Sequence, residues 1–232
     1  MTSPDYTELI CSLPHLVDPF KYQRLSISYV QLQKRMNMLQ FDDYIWLEKF
    51  IRLFYWGDIR LDVDEEQLVS AANRFVDEIS CLDIKYWLLW RMDIRTIIAA
   101  LRRRRDGEAA PPTNNWGYGR YVHHIRTNWA APCFKLENRF TFLPQVNQLL
   151  CAGESYSLEK VLLKAIWDFF SNCSPRDPNG LARVVLYLLK WNLIEQWSQC
   201  NSTTGAERFD NLVTSCMPQT LDFNEASNDN RA

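Results

Sequence analysis

Two stretches near the C-terminus, SLEKVLLKAIWDFF (Ser157–Phe170) and GLARVVLYLLKWNLIEQW (Gly180–Trp197), carry more apolar surface than one helix–water boundary can use. Leu158, Val161, Leu162, Ala165, Ile166 and Phe169 recur at three- and four-residue intervals, which predicts a helix capped by Ser157. The loop SNCSPRDPNG between the stretches is short, so the two helices should be antiparallel neighbours. Neither stretch holds a nucleophile–base pair, a metal-ligand spacing or a glycine-rich phosphate cradle. A chain whose strongest signal is helix packing points to a structural or coupling part rather than a catalyst.

The same logic extends upstream. Asp42 is placed to cap a helix to about Tyr55, with Tyr44, Leu47, Ile51 and Phe54 on one face. Asp64 with Gln67 resembles a capping box, followed by the stripe Leu68, Ala72, Phe75 and Ile79. A long helix from about Lys85 to Arg105 puts Trp87, Trp90, Ile94, Ile97 and Leu101 on one face and Arg91, Arg95 and Arg102 on another. Its cationic end, followed by Asp106-Gly107, suits both the helix dipole and a glycine stop. Tyr6 to Leu13 reads as a short extended segment, halted by Pro14 and Pro19. Residues 107–120, GEAAPPTNNWGYGR, read as a loop. Tyr121 to Trp129 reads as a short helix, FKLENRFTF as extended or irregular, and Leu143 to Leu150 as a helix with Pro144 in its first turn. Ala206 to Cys216 reads as a last helix before a polar tail.

The expected class is all-α: packed helical bundles with a short extended N-terminal segment. The expected divisions are 1–106 as an N-terminal bundle, 107–142 as an irregular connection, 143–217 as a C-terminal bundle and 218–232 as a mobile tail. Composition agrees, because 47% hydrophobic residues with nine Trp can fill a core, and seven Gly are few for many tight β turns. A formal net charge of −2 argues against general nucleic-acid binding. Without a signal-like N-terminus or a run of about 20 apolar residues, the expected location is cytoplasmic. The seven cysteines are scattered without a C-x-x-C pair, as expected of reduced thiols.

Candidate chemistry is sparse. His123-His124 with Cys133 is the nearest approach to a metal cluster, but adjacent helical side chains diverge by about 100° and zinc needs three or four converging ligands. Gly117-Tyr118-Gly119 lacks the third glycine and Lys-Ser/Thr of a nucleotide loop and reads as a flexible turn. No catalytic residue, metal site or cofactor is therefore expected. The best interaction candidates are Arg102, Arg103, Arg104 and Arg105, with Trp116, Tyr118, Arg120 and Arg126 in the loop region that follows. A second cationic stripe, Arg183 and Lys190 flanking Tyr187, is either an internal polar seam or an interface edge. Trp167, Phe169, Trp191 and Trp197 are expected in the core.

AIWDFF (Ala165–Phe170), VLYLLKWNLIEQWSQ (Val185–Gln199) and TGAERFDNLV (Thr204–Val213) resemble a small-protein family found with bacterial V/A-type ATPases. That family is a divergent counterpart of the funnel-shaped C-type stalk component of these ATPases, called the d component in eukaryotes. YTELICSLPHL, DDYIWLEKF and MDIRTIIAALRRRRDG are similar to the opening and centre of that family. The resemblance implies a non-catalytic, all-helical central-stalk subunit. Its partners would be the membrane rotor ring and the stalk shaft, and it would lie at the inner face of the cell membrane through the complex. The function implied is ATP-linked proton or sodium transport. The rival readings are a helical adaptor binding an acidic protein or RNA through Arg102–Arg105, and an enzyme assembled from distant residues such as Tyr118, His123 and His124.

Overall fold

A computed structural model describes residues 4–21, 26–54 and 65–199. These residues form nine α-helices and no strand: α1 (Thr7–Ser12), α2 (Tyr29–Met36), α3 (Phe41–Phe54), α4 (Glu65–Glu78), α5 (Leu82–Arg105), α6 (Val122–Thr127), α7 (Leu143–Ala152), α8 (Ser155–Ser171) and α9 (Leu181–Gln199). The fold is all-α, as expected. The Asp64–Gln67 cap, the Ala206–Cys216 helix and the C-terminal tail lie outside the described residues or side chains.

The N-terminal segment is helical, not extended. Asp5 accepts the Thr7 amide at 2.8 Å and also the Thr7 hydroxyl, which starts the turn, while Tyr6 and Leu9 fall three residues apart onto the core. Tyr6 also ties the segment to distant chain. Its amide donates to the Asn179 carbonyl at 2.8 Å and its hydroxyl to Asp43 on α3. Burial first, and then the Asp43 bond, push that phenol up to about 12. Helix α2 is an addition to the elements expected from periodicity, although Ser28 and Gln31 form a reciprocal capping box at its start, with bonds of 3.3 and 3.2 Å.

Several starts differ from expectation by a few residues. Helix α3 begins at Phe41, so Asp42 lies in its first turn rather than at the cap. Helix α5 begins at Leu82, three residues before Lys85. Gly153 ends α7 with φ 74°, and Glu154 then makes the first carbonyl of α8, which places Ser157 inside that helix.

Helices α8 and α9 are antiparallel. Tyr156 meets Trp197 with ring centroids 5.7 Å apart, the Gln196 amide donates to Glu159 at 2.9 Å, and the Lys190 ammonium lies 4.5 Å from the Trp167 ring centre. Helix α5, about 35 Å long for its 24 residues, packs on α4, α6, α7 and α9. Trp90 stacks on Phe169 at 3.7 Å, and twelve α5 residues are buried, so this helix is the axis of the core. Trp167, Trp191 and Trp197 are buried and Phe169 is partly so. One hydrophobic cluster runs from α1 through the 107–142 region to α9.

Trp191 joins burial to a polar tie. Its indole Nε1 donates to the Ile27 carbonyl at 2.9 Å, fixing the lead-in to α2 against α9. Trp191→Ala should destabilise the protein by about 3–5 kcal/mol through cavity and lost bond together, read as a lower urea midpoint at unchanged m-value.

Candidate functional site

The centre of α5 carries two fully buried polar residues, Asp93 and Thr96, three positions apart and so on one face. The segment after Gly107 docks onto them. The Thr96 hydroxyl donates to the Tyr118 carbonyl at 2.8 Å and accepts the Tyr118 amide at 2.7 Å. Asp93, 0% exposed, accepts the Arg120 amide at 2.6 Å and the Arg120 guanidinium at 2.9 and 2.6 Å. Burial pushes the Asp93 carboxyl upward, against the pull of the Arg120 contacts. The glycines make the approach possible. A Cβ on Gly117 would stand 2.7 Å from Thr96 Cγ2, and one on Gly119, at φ +81°, would overlap Asp93 Oδ1.

This arrangement corrects the reading of Gly117-Tyr118-Gly119 as a flexible turn: the motif is clamped to α5. It also corrects the assignment of Trp116 and Tyr118 to a surface, since both are buried. Trp116 meets Trp129 edge-on at 6.3 Å, and its indole N–H has no acceptor among the described residues. Arg95 lies 5.0 Å over the Tyr118 ring. Arg126 donates to the Pro112 carbonyl at 2.8 Å, tying the loop to itself. Of the four loop candidates, Arg120 and Arg126 are committed to internal contacts and the two aromatics belong to the core.

The arginine run divides in the same way. Arg104 turns inward: it donates to the Ala131 carbonyl and to Asn147 at 3.1 Å, and lies 4.8 Å over the Phe134 ring. Arg103 pairs with Glu108 at 2.8 Å and Arg105 with Asp106 at 2.7 Å. Such exposed pairs add little to stability, but they offset two of the four charges locally. Of the four, only Arg102 is exposed without an ion-pair partner among the described residues. The end of α5 is thus a bracket for the 107–135 segment first and a cationic surface second.

Below Arg104 the backbone does something unusual. Cys133, Phe134 and Lys135 all take positive φ, at 51°, 55° and 59°. Each such L-residue costs roughly 1–2 kcal/mol. The turn is held by the fully buried Phe134 ring, by Arg104 above it, and by the His124 Nε2 contact to the Phe134 carbonyl at 3.0 Å. His124 is therefore occupied with backbone while His123 is exposed, and Cys133 is buried. Among the described residues no group of three His, Cys, Asp or Glu could hold a metal ion.

Periodicity along the chain conceals a different surface. Tyr29, Val30, Met38, Phe41 and Ile45 stand exposed, five of the eight large apolar side chains exposed among the described residues; Phe41 reaches 76%. They belong to α2, α3 and the turn between them. Its signal in the sequence is YV in the first turn of α2 and FDDYI, where phenylalanine and isoleucine, four positions apart, share a stripe turned away from the buried Leu47 and Phe50. Beside them a groove of about 290 Å³ runs between α2, α3 and α9, lined by Leu32, Met36, Leu47, Ile51, Leu188 and Trp191. Apolar surface grouped in this way marks contact sites for other proteins.

A family model described as a protein of unknown function (DUF2764) matches residues 20–219, and the chain belongs to that family. No curated protein and no solved structure matches it. No helix among the described residues is long and apolar enough to cross a membrane.

Arg120→Ala should destabilise by about 3 kcal/mol, the lower end for breaking a buried pair because Arg120 is itself 36% exposed. Asp93→Asn in that background should recover part of the loss in chemical denaturation, since it removes the stranded charge. Lys135→Gly, at an exposed position, should raise the unfolding free energy by up to about 1 kcal/mol, where glycine ordinarily lowers it.

Proposed function

We propose that this DUF2764 protein is a non-catalytic coupling component of a V/A-type ATPase. In that role it sits in the central stalk, joins the stalk shaft to the membrane rotor ring and carries torque for ATP-linked proton or sodium transport. It has no reaction centre of its own and meets the inner face of the cell membrane through the complex. The segments that resemble the C-type stalk family, AIWDFF and VLYLLKWNLIEQWSQ, support the reading by forming the antiparallel α8–α9 pair at the core.

The observation that carries the mechanical part is the exposed apolar corner of α2 and α3, set on an interior of interlocked aromatic rings. Trp46 stacks on Phe50 at 5.3 Å and on Phe75 at 6.0 Å, so the corner stands on packed helices and not on a loose loop. Close-packed interiors have low compressibility and transmit strain. A coupling part needs that stiffness together with a surface for each neighbour. The apolar corner suits a tight, largely permanent contact, and the Arg102 end of α5 suits a charged one. The adaptor reading, in which all four arginines grip an acidic protein or RNA, is disfavoured because Arg103, Arg104 and Arg105 are engaged within the chain.

Affinity-tagged protein recovered from membranes of its native host should bring the ATPase rotor and stalk proteins with it. Phe41→Glu combined with Ile45→Lys should abolish that co-purification while moving the melting temperature little, as surface substitutions do. Recovery of no ATPase component by the unaltered chain would overturn the assignment.

A further inference from the structure

The cationic stripe on α9 lines a cleft between α9, the end of α1 and the end of α8. Arg183, Tyr187 and Lys190 lie at i, i+4 and i+7, one face of the helix, and together they form one wall of a cleft of about 410 Å³. The opposite wall is the end of α1 and the segment after it, Ile10 and Leu13 to Leu16. The last turn of α8, with Phe170 and Ser171, and Cys173 just after it line the rest. The Tyr187 hydroxyl donates to the Pro14 carbonyl at 3.0 Å and holds the two walls together.

The charge in this cleft is one-sided. Among the described residues its lining includes Arg183, Lys190 and His15 and no carboxylate. Neither Arg183 nor Lys190 takes part in an ion pair among the described residues. Asp83, an acid that acts on Cys173 in the lining, is already bound to Arg176 through the backbone amide at 2.8 Å and the guanidinium at 3.6 Å. Burial, and then repulsion from Arg183, hold Lys190 below its usual range, while Arg35 on α2 adds a positive field at Tyr187. The end of α8 offers a partial negative charge of about half a unit, well short of two full positives. The Trp167 ring relieves one face of the ammonium only.

A half-buried cation such as Lys190, with a second cation beside it and no counter-charge among the described residues, is costly unless something supplies the charge. We propose that this cleft is a binding site for a compact small-molecule polyanion bearing phosphate or carboxylate groups, gripped by Arg183 and Lys190. The Arg183 guanidinium supplies forked donors and Lys190 a point charge. The Ser171 hydroxyl, also in the lining, is a further donor. The apolar residues Leu13, Leu16, Phe170 and Leu186 would receive an uncharged part of the ligand. The volume lies in the range of small-molecule sites, about 300–1,000 Å³. The site is independent of the proposed stalk role, since it involves neither the α2–α3 corner nor the end of α5.

The test is titration of the full chain with pyrophosphate and with citrate, followed by calorimetry and thermal melting, against acetate at the same ionic strength. Pyrophosphate or citrate should bind saturably and raise the melting temperature. Arg183→Gln, at an exposed position that folding tolerates, and Lys190→Met should each weaken binding by about tenfold or more, the loss of one charge-assisted contact. Lys160→Gln, an exposed cation on α8 outside the cleft, should leave binding unchanged. Absence of saturable binding of either probe would overturn the proposal. So would an equal response to acetate, or affinity that survives both cleft substitutions.

Discussion

The buried face of α5 that carries Asp93 and Thr96 sets the conditions for much of the rest. A carboxylate with no exposure inside a helix bundle must be met by donors, or it forces itself neutral or the fold apart. Arg120 and its own amide meet it, and the Thr96 hydroxyl does the same for both backbone groups of Tyr118. That satisfaction pulls the 107–120 segment down onto the helix. Trp116 and Tyr118 then become interior residues, and the next stretch is brought beneath Arg104. A region without long helices thus becomes part of the core through two polar side chains on one helix. The two glycines are the space through which this happens, because a side chain at either would push the segment off.

Much of this architecture is legible in the sequence, and the failures have physical causes. Trp87, Trp90, Ile94, Ile97 and Leu101 recur at helical spacing, and all five are buried. The antiparallel α8–α9 pair follows from a short loop between two strongly apolar periods. Helix α1 is not legible as a helix because its six residues are too few to display a period. Asp93 and Thr96 vanish from a reading that tracks only apolar positions. Yet a carboxylate and a threonine three apart among isoleucines are the sign of a buried polar seam. The left-handed run Cys133–Lys135 is not legible at all, since its residue types oppose it and contacts of Phe134 with Arg104, Trp129 and His124 impose it.

Exposed charge and exposed apolar surface are distributed against first impressions. Four consecutive arginines draw the eye, yet most of their capacity is spent inside the chain. The unobtrusive pair Arg183 and Lys190 keeps its charge available because no acid among the described residues is placed opposite. Counting cations along a sequence therefore says less than asking where each one's counter-charge lies. The same holds for hydrophobic residues. Phe41 precedes the expected Asp42 cap and Ile45 lies off the expected apolar face, and only the three-dimensional arrangement shows both in α3 and facing outward.

Tyr6 bonds to Asn179 and Asp43, and Pro14 bonds to Tyr187, so the start of the chain is completed by residues as many as 173 positions away. During synthesis the first helix emerges long before those partners exist. Non-local closure of this kind slows folding and leaves apolar faces open in the interval. The leading segment can meet α2 and Asp43 early, but its ties to Asn179 and Tyr187 must wait until α9 is made. Over that interval a chaperone, or an assembling neighbour, would find its easiest grip on this molecule.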